Sequence, residues 1–152
     1  MPAISSFQQI FVCFIVVSEV LCLPGNTNNA NLKLTGLDGA LESPLVYYPP
    51  DLNCDWLITV PEDNMVELSF VRFELDRDGG TGACKGDYVD ITDGQASDSK
   101  SLGEFCGFTS PVTIHSSGRY MRVRFRSDSQ GPVYKGFKAT FSAVKVSKSG
   151  KF

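Results

Sequence analysis

The sequence predicts an all-β sandwich of two antiparallel sheets, and three observations carry that expectation. Apolar and polar residues alternate in short segments after Thr35, clusters of Gly, Pro, Asp and Ser separate those segments, and no stretch carries a helical period. Val66, Leu68 and Phe70 alternate with Glu67 and Ser69, after which the phase slips to Phe73 and Leu75, as a bulge or bend requires. Val89 and Ile91 repeat the pattern against Asp90 and Thr92. Met121, Val123 and Phe125 alternate with Arg122, Arg124 and Arg126, and Phe137, Ala139 and Phe141 alternate with Lys138 and Thr140. Each segment reads as a half-buried antiparallel strand. Enough such strands for two sheets, each with one apolar face, must bury those faces against each other. Trp56 and most of the 11 Phe residues are assigned to that shared core.

The 152-residue length leaves room for one core and no second domain. Residues 1–22 read as a signal peptide, because the apolar runs Ile10 to Val17 and Leu21 to Leu23 are too short, and too interrupted by Glu19, for a membrane span. Cleavage is permitted after Ser18, with Val16 upstream, or after Cys22, with Val20 upstream. Residues 23–34 are Asn-rich and read as a flexible N-terminal segment, 35–144 as the folded domain, and 145–152 as a mobile basic tail. No later stretch reaches the ~18 apolar residues of a spanning helix. The expected location is secreted and extracellular.

A more specific signal is an ordered run of short motifs: Ser43-Pro44, Tyr48-Pro49, Cys54-Asp55-Trp56, Phe73, Cys84, Asp87-Tyr88, Cys106-Gly107, Ser127-Asp128 and Gly136-Phe137. In that order the chain resembles the CUB domain family, and as a lone secreted domain it is similar in architecture to the spermadhesins. The resemblance implies a jelly-roll sandwich over residues 35–144. It also implies a Cys84–Cys106 disulfide. In the family pattern the cysteine before the tryptophan pairs with one near the amino terminus. That early cysteine is missing near Asn29 or Ala30, so either Cys22 pairs with Cys54 or Cys54 is free. Cleavage after Cys22 would leave three cysteines, and cleavage after Ser18 would keep Cys22 as a fourth.

The same resemblance places Asp76, Asp87 and Asp128 where the calcium-binding subset of CUB domains carries its ligands. Tyr48 matches the supporting tyrosine and is expected to orient Asp76 by hydrogen bonding. Calcium is a hard cation that takes roughly six to eight oxygens, which three carboxylates with carbonyls and water can supply. Without an ion, repulsion among the three should raise at least one carboxyl pKa. The chain departs from the family in having Asp76 in place of Glu, Gly86 in place of an aromatic, and Gln130-Gly131 after the third acid. Against the metal reading stands the ordinary role of Asp as a turn-capping residue. The implied mechanism is a Ca2+-ordered loop cluster that receives a Lys or Arg from an extracellular partner protein.

A net charge of -3 hides an asymmetry: all but one of the 17 acidic residues precede Arg119, and nine of the 14 basic residues lie from Arg119 onward. Arg122, Arg124 and Arg126 point to one side of a strand, a candidate anion-binding row for sulfated polysaccharide or matrix. The competing expectation pairs them with acids on adjacent strands. Nucleic acid is not an expected partner, given a pI of about 5.1 and no aromatic-basic platform. The single histidine, His115, has no local nucleophile motif, and Gly79-Gly80-Thr81-Gly82 lacks the spacing of a phosphate loop. The chain therefore reads as a non-enzymatic binding module. The alternative function is a structural component of an extracellular, mineralised matrix.

Overall fold

A computed structural model of the chain describes residues 19–22, 32–44, 47–76, 83–130 and 134–147. Among them run β1 (Glu19–Leu21), β2 (Leu32–Thr35), β3 (Asp38–Glu42), β4 (Asn53–Thr59), β5 (Asn64–Glu74), β6 (Tyr88–Asp93), β7 (Lys100–Phe105), β8 (Ile114–His115), β9 (Tyr120–Arg126) and β10 (Gly136–Lys145). They form an all-β sandwich with sheet orders β1-β3-β10-β5-β8 and β2-β4-β9-β6-β7. Most pairs are antiparallel, as expected, but β1 runs parallel to β3 and β2 parallel to β4. The cause is the chain path. From β1 to β4 the strands alternate between the two sheets, so these parallel neighbours lie two strands apart along the chain.

Strand β2 corrects the lower domain boundary. It begins at Leu32, inside the segment expected to be flexible, and pairs residue for residue with Trp56–Thr59. Leu34 enters the core at 1% exposure while Lys33 and Thr35 face outward. A strand of four residues offers only two apolar positions, too few to stand out beside an Asn-rich run. The upper boundary shifts less: β10 continues to Lys145, and the Val146 N–H donates to Asp63 O at 3.1 Å.

The phase slip in β5 is a bulge at Val71. Arg72 pairs with Lys138 and Phe70 with Ala139, which leaves Val71 unopposed and 67% exposed. After it, Phe73 and Leu75 return to the interior. Trp56, Phe125 and Phe137 are fully buried at the centre, with the Phe137 ring edge-on to Trp56 at 5.7 Å and to Phe125 at 5.5 Å. Truncating Phe137 to alanine would cost about 3 to 5 kcal/mol. Thr92, expected to face solvent, is buried, although it keeps its place in the regular β6–β9 ladder and the slip opposite it, at Leu102, belongs to β7.

Two of the sequence motifs meet in one contact. The Ser43 N–H donates to Phe137 O at 3.1 Å, and the Phe137 N–H donates to Ser43 Oγ at 2.9 Å, joining the end of β3 to the start of β10. Gly136 adopts φ +73° there, and a Cβ would fall 1.9 Å from Ser43 Oγ, so only glycine fits. Disulfides join Cys22 to Cys54 and Cys84 to Cys106, with Cα separations of 5.9 and 5.8 Å. Cys22 and Cys54 are both completely buried.

Candidate functional site

Asp76 follows β5, Asp87 immediately precedes β6, and Asp128 lies two residues past β9. Because Tyr88 pairs with Arg126, the start of β6 and the end of β9 share one end of the sandwich. The loop before β4 brings Tyr48 to the same end. Backbone contacts fix the frame: the Leu75 N–H donates to Gly107 O and the Gly107 N–H to Asp76 O, each at 2.9 Å. Gly107 adjoins Cys106, whose bridge to Cys84 ties that frame to the loop carrying Asp87.

Asp87 is 3% exposed and both its oxygens are engaged. Its Oδ2 accepts the Tyr48 hydroxyl, and its Oδ1 accepts the Asp128 N–H at 2.8 Å. Tyr48 was expected to hydrogen-bond Asp76, and it does so through the Asp76 main chain while also binding Asp87. Its hydroxyl holds the Asp87 carboxylate and accepts the Asp76 main-chain N–H at 3.3 Å, a contact with the Asp76 backbone rather than with its side chain. The buried Tyr48 ring, edge-on to Phe125 at 5.1 Å, fixes where that hydroxyl can reach.

Gly86, one of the departures from the family pattern, lies between the other two acids. A Cβ placed on it would stand 3.3 Å from both Asp76 Oδ2 and Asp128 Oδ2. The missing side chain lets both carboxylates approach the Gly86 backbone closely. Among the described residues, however, no group of three or more His, Cys, Asp or Glu side chains is placed so that it could hold a metal ion. The donor chemistry suits a hard cation, with Asp76 and Asp128 converging on the Gly86 cradle and Asp87 beside them.

Burial pushes the Asp87 carboxyl above its usual range. The hydrogen bonds from Tyr48 and from the Asp128 N–H oppose that rise, and the charges of Asp128 and Asp76 add to it. Burial first, and then Asp87, push the Tyr48 phenol far above its ordinary value, so it remains a donor at physiological pH. Lys85-Gly86-Asp87 spells an integrin-like tripeptide, but the Asp87 side chain is buried rather than displayed.

Sequence reading missed Ser127 as a fastener. Its hydroxyl accepts the Leu52 N–H and donates to Pro49 O, both at 2.8 Å, while the Asp51 N–H donates to Asp128 O at 2.9 Å. These bonds clamp the Tyr48 loop to the end of β9. The Ser127-Asp128 motif was the available signal, but its main-chain partners have no sequence signature.

The arginine row is mostly neutralised. Arg122 Nη1 donates to both Asp55 oxygens at 2.7 Å, and its other nitrogens reach Gln95 O. Arg124 pairs with Asp90. Among the described residues Arg126 reaches only Phe125 O, at 3.4 Å, beside Tyr88 and Glu104. The expected three-guanidinium row is thus reduced to one open member, because β4 and β6 flank β9 with acids in register. His115 Nε2 lies 2.8 Å from Glu67 across the β5–β8 pair, an exposed ion-pair position. Among the described residues no helix is long and apolar enough to cross a membrane.

Comparison with known proteins agrees with this architecture. The chain is 40% identical over 114 residues to bone morphogenetic protein 1 of Xenopus laevis, covering 74% of this chain and 16% of that protein. It spans a similarly small part, 11%, of human tolloid-like protein 1, also at 40% identity. The structure of the MASP-1 CUB2 domain bound to Ca2+ superposes with a TM-score of 0.66 at 30% identity, covering 74% of this chain and 98% of that one. The CUB domain profile matches residues 31–141, and with the two-sheet fold and the relatives just described it establishes that the chain belongs to the CUB domain family.

Proposed function

We propose that this chain is a secreted binding module whose Asp76, Asp87 and Asp128 hold a calcium ion, and whose ion-ordered loops receive a Lys or Arg from an extracellular partner protein. CUB domains are interaction modules, and the relatives are much longer proteins of which this domain is one part. The observation that carries the reading is the convergence of Asp76 and Asp128 on Gly86, beside the buried Asp87. The solved relative with bound Ca2+ supports the same ion. In this reading Tyr48 positions Asp87, and carbonyls and water complete the shell. Calcium would also neutralise the mutual repulsion of the three carboxylates and so order the loops that carry them. The carboxylate oxygens left facing outward would then accept a charge-assisted hydrogen bond from the partner's cation.

Polysaccharide binding through the arginine row loses support, since Arg122 and Arg124 are paired within the domain. The test is the thermal midpoint of the purified protein with calcium and with chelator, using Asp87→Ala as control. A ligand bound only by the folded state raises the midpoint. The expected result is a calcium-dependent rise that the variant lacks. No rise at millimolar calcium overturns the reading.

A further inference from the structure

We propose that a leader is removed from this chain by hydrolysis of the Ser18–Glu19 peptide bond, so that the mature protein begins at Glu19. Water would add across that bond, leaving a carboxylate on Ser18 and an ammonium group on Glu19. Two bonds fit the side-chain preferences of a leader peptidase, one after Ser18 and one after Cys22, and sequence alone does not separate them. The folded domain does.

Glu19, Val20 and Leu21 form β1, paired in parallel with Ala40, Leu41 and Glu42. The Cys22 N–H continues toward Glu42 O at 3.5 Å, and Cys22 itself is completely buried and bonded to Cys54. These four residues are therefore part of the sandwich. Cutting after Cys22 would strip the edge strand from β3 and expose its main-chain donors and acceptors. It would also leave Cys54, at 0% exposure near Trp56, as a lone thiol inside the core. Cutting after Ser18 removes none of these contacts. The apolar run Ile10 to Val17 then lies wholly in the discarded leader, with Val16 and Ser18 three residues and one residue before the bond. Glu19, whose charge interrupts the apolar run, becomes the first residue of the mature strand.

The experiment is expression of the full chain in a secreting animal cell line, followed by intact mass and N-terminal sequencing of the secreted protein. Alkylation before and after reduction counts the free thiols. The expected product starts at Glu19 and takes up no alkyl group until it is reduced, when it takes up four. A product that starts at Leu23, keeps residues 1–18, or shows an alkylated Cys54 before reduction overturns the proposal. Ser18→Tyr places a bulky ring where a small residue is required and should abolish cleavage at this bond; an unchanged Glu19 terminus in that variant also overturns it. Because Ser18 lies outside the retained domain, the cell-associated fraction is sequenced too, so poor secretion still gives a reading.

Discussion

Asp128→Asn separates an ion site from a turn cap by the sign of its effect. The substitution keeps the shape of the side chain. The amide oxygen of the variant can still accept the Gln130 N–H, which Asp128 Oδ1 accepts at 2.9 Å, and the Asp128 main-chain N–H still reaches Asp87. Only the charge is lost. Asp76 Oδ2 and Asp128 Oδ2 each lie 3.3 Å from one point above Gly86, so they are no more than about 7 Å apart. At an effective dielectric of about 20, two unit charges at that distance repel by about 2 kcal/mol, and salt and partial exposure reduce this to about 1 kcal/mol. Without calcium, the variant should therefore be the more stable protein, by about 4 °C in midpoint for a domain of this size. With calcium the order changes. At ~2 mM ion and a dissociation constant of ~0.1 to 1 mM, the wild type gains about 0.7 to 1.8 kcal/mol, or about 3 to 7 °C, and the variant loses most of that gain. Differential scanning calorimetry in chelator and in calcium reads both signs. A variant that is less stable than wild type in chelator and keeps a full calcium response would refute the reasoning and return Asp128 to its turn.

Three further outcomes follow from the same geometry. The raised Asp87 carboxyl binds its proton more tightly folded than unfolded, so its contribution is present in acid and is lost as pH rises through the folded value, above the usual 3.8. In urea titrations without calcium, the stability of wild type relative to Asp87→Asn should rise as pH falls from 7 toward 4; a constant gap would show that burial does not raise the Asp87 carboxyl. Tyr48→Phe keeps the ring against Phe125 but removes the donor to Asp87 and the acceptor for the Asp76 N–H, a loss of about 1 to 3 kcal/mol that also weakens the calcium response. Replacing Cys22 and Cys54 together by alanine opens a bridge between residues 32 apart, and loop-closure entropy sets the loss at about 4 kcal/mol. A change below about 1 kcal/mol in the urea-derived stability would mean that the bridge adds little.

Strands β5, β9 and β10 were legible because each is long enough for alternation to repeat, and each buries one face only. The bulge was legible too, since Phe73 and Leu75 are out of phase with Val66 and Leu68. Strand β1 was hidden because its residues lie in a stretch that also satisfies a leader pattern, and composition cannot tell a cleaved apolar run from an edge strand. At the site, the three aspartates and a hydrogen bond between Tyr48 and Asp76 were read from family spacing, whereas the second bond of the same hydroxyl, to Asp87, was not foreseen. The bond to Asp76 runs through a main-chain N–H, which leaves the hydroxyl proton for Asp87, and a main-chain donor leaves no trace in residue identity. The pairing of Arg122 with Asp55 depended on register, which is set by the whole sheet rather than by any local run.

The strand order has a consequence for biosynthesis. Among the described strands β9 and β10 are made last, yet β9 sits between β4 and β6 in one sheet and β10 between β3 and β5 in the other. Until Tyr120–Lys145 has been synthesised, each sheet lacks its middle member and the earlier strands have no lateral partner on that side. The nascent chain must hold its apolar segments apart while it waits, and chains released before Tyr120 present open edges prone to mispairing. Folding of this domain is therefore expected to wait for Tyr120–Lys145 and to be limited by long-range strand pairing. Shortened versions that end within β9 or β10 should be recovered as aggregate rather than as a smaller working domain.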